Sequence, residues 1–362
     1  MKKRFLPLLL PLLLLPLCRL PVFAEVAAET GADKLWSVLP AETVDLLRDL
    51  GIETVDHNAA GKLDVLSFLS ALRPSFTRAL KLPLKTGGIL LSMLLCCLLA
   101  SHLTGEEKLI GKTGTALCAL LTLSPLADVM TRYVSTVKTT AAFLQGYVPI
   151  CAGLTVACGR PAGAAASQAF LLSFCAILQT AANRLVLPLS GMLFALAAVT
   201  STEASPASAF ADLLFKAISW GLGILATLAG GMFALQTGIA ASSDSLSLRS
   251  AKFAVSGFVP VVGGVLSEAL GTVTASAAVI RSGVGIVVLL ALLMLFLPPL
   301  LELACWQITL KLLAFFAGSC GEGNTERLFK RTASVFSVLT AALCAAGALL
   351  LFATAILIKT GG

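Results

Sequence analysis

Long apolar runs dominate the chain from residue 86 onward and restrict what it can fold into. A helix crosses the hydrocarbon core of a bilayer with about 20 mostly apolar residues. Because lipid offers no partners for backbone polar groups, only helices and closed barrels span it. We therefore predict an all-α fold, a polytopic α-helical membrane protein with about seven to nine transmembrane helices. The candidate segments lie near residues 86–104, 113–130, 139–158, 164–200, 213–240, 256–280, 283–301, 303–318 and 333–358.

The charge content agrees with this fold class. Charged residues make up 12% of the chain, whereas soluble domains typically contain about 25%. The net charge of +7 comes from basic residues that stand singly between apolar runs, as residues that anchor membrane helices do. Nucleic-acid-binding proteins instead cluster their basic residues on one face. No nucleic-acid partner is therefore expected.

The N-terminal segment has the parts of a cleavable signal peptide. A basic start precedes an apolar stretch over residues 5–17, and the small residue Ala24 precedes Glu25. The mature chain would then begin outside the cytoplasm. We predict a signal peptide at 1–24, an extracytoplasmic helical region at 25–82 and a multi-pass transmembrane domain at 83–362.

Prolines mark the predicted ends of several helices, because proline lacks the N–H that a helix needs. In the N-terminal region, an amphipathic helix is predicted to start after Pro40, and a second helical pattern is predicted to stop at Pro74. The Pro298-Pro299 pair is predicted to end one helix and begin a short segment. The 164–200 stretch is either one long span or a hairpin, since polar residues and a proline lie near its middle: Asn183, Arg184 and Pro188.

The orientation in the membrane is predicted from one basic cluster. Arg327, Lys330 and Arg331 precede the last apolar run, and short cytoplasmic loops carry an excess of Lys and Arg. We therefore assign the 319–332 loop to the cytoplasm and residues 25–82 to the opposite side.

No pattern in the sequence indicates an enzyme or a metal site. The ten cysteines include no CxxC pair, and the chain has two histidines, so that the usual zinc ligand sets are not formed. Phosphate-binding loops and nucleophile motifs are also missing. We therefore predict no catalytic residues, no metal and no cofactor.

The segment 245–285 is unusually polar for a membrane span. Wound as a helix, it has a face of small residues around Gly271, suited to close helix packing, and a neighbouring polar face around Glu268. Three interpretations stay open: a kinked packed helix in which Glu268 pairs with Arg281, a conduit-lining or re-entrant element, and an amphipathic helix in the interface. The candidate conduit or packing residues are Pro260, Gly263, Gly264, Ser267, Glu268, Gly271, Thr272 and Arg281.

The same segment resembles the stage III sporulation protein AE family of endospore-forming bacteria. A polar loop ending at Ser245 leads to the sequence Arg-Ser-Ala-Lys-Phe at 249–253. An aromatic-x-Pro-Val-Val-Gly element follows at 258–263, then Ser-Glu-Ala at 267–269 and Val-Gly at 284–285. The order of signal peptide, short external region and polytopic remainder is also similar to that family.

The resemblance implies a membrane subunit of a transenvelope channel, or secretion-like complex, between mother cell and forespore. It implies partners from the same operon, namely ring-forming extracytoplasmic subunits and a cytoplasmic ATPase, together with a forespore-membrane partner and membrane lipid. The alternative is a permease-like subunit of a solute transporter driven by a partner ATPase. Such a transporter is expected to contain broken helices in two corresponding halves, and the sequence contains one broken segment, at residues 260–264.

Overall fold

Long helices make up the fold in the part of the chain that the computed structural model describes. The described residues are 39–50, 65–104, 107–157, 161–202 and 263–359, with isolated positions between 210 and 224. The predicted signal peptide therefore lies outside the described residues. The helices are α1 (Ala41–Asp49), α2 (Val65–Thr104), α3 (Glu107–Ala157), α4 (Pro161–Ala181), α5 (Leu187–Thr202), α6 (Gly263–Ser319) and α7 (Gly323–Lys359); a π-helical turn, Ala182–Val186, joins α4 to α5.

Five helical segments among the described residues are long and apolar enough to cross a membrane. They confirm the all-α membrane fold class, and they are longer than the segments that the sequence predicts. The predicted segment 213–240 lies largely outside the described residues. The predicted runs 113–130 and 139–158 form the single helix α3, because the polar residues between them continue the helix. The 164–200 stretch is one continuous helical span rather than a hairpin. The five segments are Leu72–Leu103, Leu109–Gly153, Gln168–Ser201, Gly285–Ser319 and Gly323–Leu351.

The prolines that were predicted to end helices lie inside them. Helix α2 runs through Pro74, and α6 runs through Pro298 and Pro299. A proline removes one backbone hydrogen bond and crowds the preceding turn, but neighbouring helices stabilise the turns on either side of it in a membrane bundle. Both predicted helix ends are therefore wrong. Helix α2 also crosses the predicted domain boundary at residues 82 and 83 without interruption.

Helices α6 and α7 form an antiparallel hairpin at the centre of the bundle. Trp306 stacks on Phe336 with ring centroids 5.6 Å apart, and Gln307 Nε2 donates a hydrogen bond to Thr340 Oγ1 at 2.6 Å. Helices α1, α2 and α3 contact the outside of α6, and α5 contacts α7. Residues 285–296 of α6 are thereby largely buried in protein.

The loop between α6 and α7 contains three residues, 320–322. Gly321 N donates to Gly318 O and Glu322 N donates to Ala317 O, which is the hydrogen-bond pattern of a Schellman motif. Gly321 has φ +83°, a conformation that costs other residues free energy. The predicted 319–332 loop is therefore wrong in extent, because the rest of it is the first part of α7.

Adding a single methyl group at Gly321 in this turn is expected to cause a small loss of stability. Gly321→Ala is expected to lower the free energy of unfolding by about 1 kcal/mol, because alanine is strained at positive φ. Gly323→Ala is the control, since Gly323 begins α7 and a Cβ there would have open space. Thermal unfolding of the detergent-purified chain measures both variants, and equal midpoints would contradict the assignment of strain to Gly321.

Candidate functional site: an apolar belt and its charged edges

The predicted conduit or packing residues lie in or just before the first half of α6. Pro260 lies outside the described residues. Gly263 is the first residue of α6, and the other predicted positions follow along the same continuous helix: Gly264, Ser267, Glu268, Gly271, Thr272 and Arg281. Their roles stay predictions.

Close approaches between helices show which residues lie at the same height in the bundle. A Cβ at Gly87 of α2 would lie 2.5 Å from Cγ2 of Thr309 in α6, and a Cβ at Gly114 of α3 would lie 2.8 Å from Sγ of Cys97 in α2. The lack of a Cβ at Gly87 thus lets α2 and α6 pack closely. Gly88 is exposed, and a Cβ there would meet no described atom within 4 Å.

Helix α3 runs antiparallel to α6. Near the α6–α7 turn, the hydroxyls of Thr115 and Thr325 are hydrogen-bonded at 2.9 Å. Farther from that turn, Arg132 Nη2 donates to Glu302 Oε1 at 2.6 Å. The level of residues 320–322 and the level of the Arg132–Glu302 pair are separated by about 27 Å along α6, at a rise of about 1.5 Å per residue.

Large apolar side chains are exposed between these two levels. We call this surface the apolar belt. Its height is close to the roughly 30 Å of a bilayer's hydrocarbon core, and a protein surface of this kind is suited to contact with lipid. Its members are Leu84, Ile89, Leu95 and Leu99 of α2, Leu117, Leu120, Leu121 and Leu123 of α3, and Ile308, Leu312, Phe315 and Phe316 of α6.

The exposed face of α3 becomes polar inside the apolar belt, about 12 Å before the level of Arg132. From residue 124 to residue 146, exposed positions of α3 carry polar or small side chains. Polar groups at membrane depth normally face water or protein rather than lipid. The residues are Ser124, Ala127, Asp128, Thr131, Arg132, Ser135, Lys138, Ala142, Gln145 and Gly146.

Two ion pairs lie at the Arg132 edge of the belt. The Glu302 side chain is 15% exposed and the Arg132 side chain is 48% exposed, so the carboxylate depends on the guanidinium more than the reverse. Arg78 of α2 pairs with Glu42 of α1 at 3.5 Å and holds α1 at the same height. That second pair is well exposed, so it contributes little to stability.

The basic cluster lies at the opposite edge, in the first turns of α7, and has partners within the chain. Arg327 Nη2 donates to Asn324 Oδ1, and Lys330 forms an ion pair with Glu326. Arg331 Nη1 donates to Thr200 Oγ1 at the end of α5. Among the described residues, no group of three His, Cys, Asp or Glu side chains could hold a metal ion.

The Arg132–Glu302 pair was not predicted from the sequence. Its signal was present, because Glu302 is the central residue of the apolar segment Gly285–Ser319, and an ionisable residue inside such a segment needs a partner. This signal was missed because the predicted helix break at Pro298-Pro299 placed Glu302 at a helix end.

Comparison with known proteins assigns the chain to a family. The family model for stage III sporulation protein AE matches residues 54–361. The chain belongs to the stage III sporulation protein AE family. A curated stage III sporulation protein AE from Bacillus subtilis (strain 168) is 26% identical over 188 residues. That match covers 52% of this chain and 47% of the relative, about half of its length. No solved structure matches the chain.

The family assignment confirms the resemblance seen at residues 245–285 and its link to sporulation. Together with the five apolar helical segments, it identifies this stage III sporulation protein AE family member as a multi-pass membrane protein.

Proposed function

We propose that the chain is a membrane subunit of a sporulation-specific transenvelope channel, or secretion-like complex, between mother cell and forespore, required for late forespore development. The family match over residues 54–361 is the observation that carries this proposal. The expected location is the mother-cell membrane around the forespore, with the N-terminal region extracytoplasmic. The expected partners are ring-forming extracytoplasmic subunits, a cytoplasmic ATPase and a forespore-membrane partner.

The surface of the bundle supports a role as a membrane subunit with protein partners. The apolar belt is suited to lipid, whereas the polar exposed face of α3 at residues 124–146 is suited to water or to another protein. A subunit of an assembly that crosses an envelope needs both kinds of surface. The permease-like alternative gains no support from the family match.

Affinity capture from sporulating cells tests the proposed function. A tagged chain is solubilised in mild detergent, and the proteins that co-purify are identified by mass spectrometry. The proposal requires extracytoplasmic ring-forming proteins and an ATPase of the same operon in the captured material. A chain recovered alone, or with a solute-binding transporter partner, would contradict it.

The two edges of the apolar belt are expected to face opposite sides of the membrane. In a chain with the other cysteines replaced, the natural Cys320 lies in the α6–α7 turn and is exposed, and Asp45 is exposed on α1. In intact protoplasts of non-sporulating cells that express the chain, where its extracytoplasmic side faces the medium, we expect an impermeant maleimide to label Asp45→Cys and to label Cys320 only after the membrane is opened. Equal labelling of both positions in intact protoplasts would overturn this topology.

A further inference from the structure

Lys311 is an exposed charge halfway along the apolar belt. It lies on α6 nine residues from Glu302 at one edge and nine from Cys320 at the other. Its neighbours on the exposed face of α6 are large and apolar, since Ile308 is 60% exposed, Leu312 54% and Phe315 68%. Lys311 has no ion pair among the described residues.

This position is unfavourable for an ammonium group that faces lipid. Lysines near the ends of membrane helices extend their stems to the interface, but Lys311 is about 13 Å from each edge of the belt, farther than its four-carbon stem reaches. Ionisable residues at such depth normally pair with one another or face protein or water. The surrounding apolar side chains are unsuited to water.

The described part of this chain has no carboxylate at the height of Lys311. Between the two edges of the belt, α2 contains no Asp or Glu, and the exposed Asp128 of α3 lies one helical turn, about 6 Å, from the Arg132 edge. Glu302 is already paired with Arg132, and Glu322 and Glu326 lie at the turn edge. A matching carboxylate therefore has to come from elsewhere.

We propose that Lys311, with Ile308, Leu312 and Phe315, is the docking site for a membrane-spanning helix of a partner subunit that carries an Asp or Glu at mid-depth. The apolar side chains would pack against that helix, and the Lys311 ammonium would pair with its carboxylate away from lipid. The inference rests on the proposed function, because it requires a complex with other membrane subunits.

Substitution of Lys311 in the tagged, full-length chain tests the charge pair. We expect Lys311→Leu to insert at the wild-type level, because the side chain is exposed, and to lower recovery of one membrane partner at least about tenfold. Lys311→Arg should keep recovery near the wild-type level. The control is Lys81→Leu, an exposed lysine on α2 at the edge of the belt.

A photo-crosslinking amino acid at Leu312 identifies what covers the site. The expected product joins α6 to an apolar helix of another chain with a carboxylate near the crosslink, and reversing both charges should restore recovery. A crosslink to residues 203–262 of the same chain, or to a second copy, would overturn the inference. It would also fail if Lys311→Leu captured every partner normally, whereas a wild-type chain that captured none would contradict the proposed function itself.

Discussion

Replacing Gly87 by alanine is expected to lower the free energy of unfolding by about 1–3 kcal/mol, the usual cost of overpacking a well-packed contact. The added Cβ would lie 2.5 Å from Cγ2 of Thr309, so α2 and α6 must move apart. Thr309 cannot rotate away freely, because it is buried and its hydroxyl donates to Cys305 O at 2.9 Å. Thermal unfolding of the purified chain in detergent measures the effect.

The neighbouring glycine and a smaller partner provide matched controls. Gly88→Ala adds the same methyl group on the same helix, where a Cβ has open space, and is expected to change stability by less than about 0.5 kcal/mol. Thr309→Ser removes the clashing methyl group and keeps the hydroxyl, so Gly87→Ala combined with Thr309→Ser should recover most of the loss. Equal effects at Gly87 and Gly88 would mean that the two helices do not pack here.

Removing Arg132 is expected to destabilise the bundle by about 3 kcal/mol, because it leaves a largely buried carboxylate without its partner. The substitution Arg132→Ala tests how strongly Glu302 depends on Arg132, because the Glu302 side chain is 15% exposed and is surrounded by apolar residues of α6. Glu302→Gln should cost less, about 1 kcal/mol, because the half-exposed Arg132 can still contact water. The measurements are the unfolding midpoint in detergent and the amount of chain in the membrane.

The diagnostic result is that Arg132→Ala destabilises the bundle more than Glu302→Gln does. Lys138→Ala is the control, since Lys138 is exposed on the same helix and is expected to change stability by less than about 0.5 kcal/mol. Exchanging the two charges, with Arg132→Glu and Glu302→Arg together, should recover part of the loss. A larger effect of Glu302→Gln than of Arg132→Ala would show that the carboxylate is not the buried member of the pair.

The contacts at Gly87 and Arg132 both hold α6 in place, one from α2 and the other from α3. Lys311 lies two residues beyond Thr309 on α6 and is exposed. A partner that docks at Lys311 would therefore meet a helix whose position is already fixed by its own chain. In that case Gly87→Ala should weaken partner recovery only as far as it reduces the amount of folded chain.

The sequence by itself determined the fold class and the family. Apolar runs of membrane length predict helices because lipid leaves the backbone no other satisfactory structure than helices or closed barrels. The pattern at residues 245–285 pointed to the stage III sporulation protein AE family, and both conclusions are confirmed. These are properties of local segments, so they can be inferred from the residues alone.

Only the tertiary structure decided where the helices end and which residues meet. Pro74, Pro298 and Pro299 were predicted to end helices, yet neighbouring helices stabilise the turns around them. Gly87 and Gly88 are adjacent residues of the same type. Only the position of α6 places Gly87 in contact with another helix and leaves Gly88 exposed. The Arg132–Glu302 pair joins residues that are 170 positions apart. Such pairings depend on the packing of distant helices, which no local pattern of residues specifies.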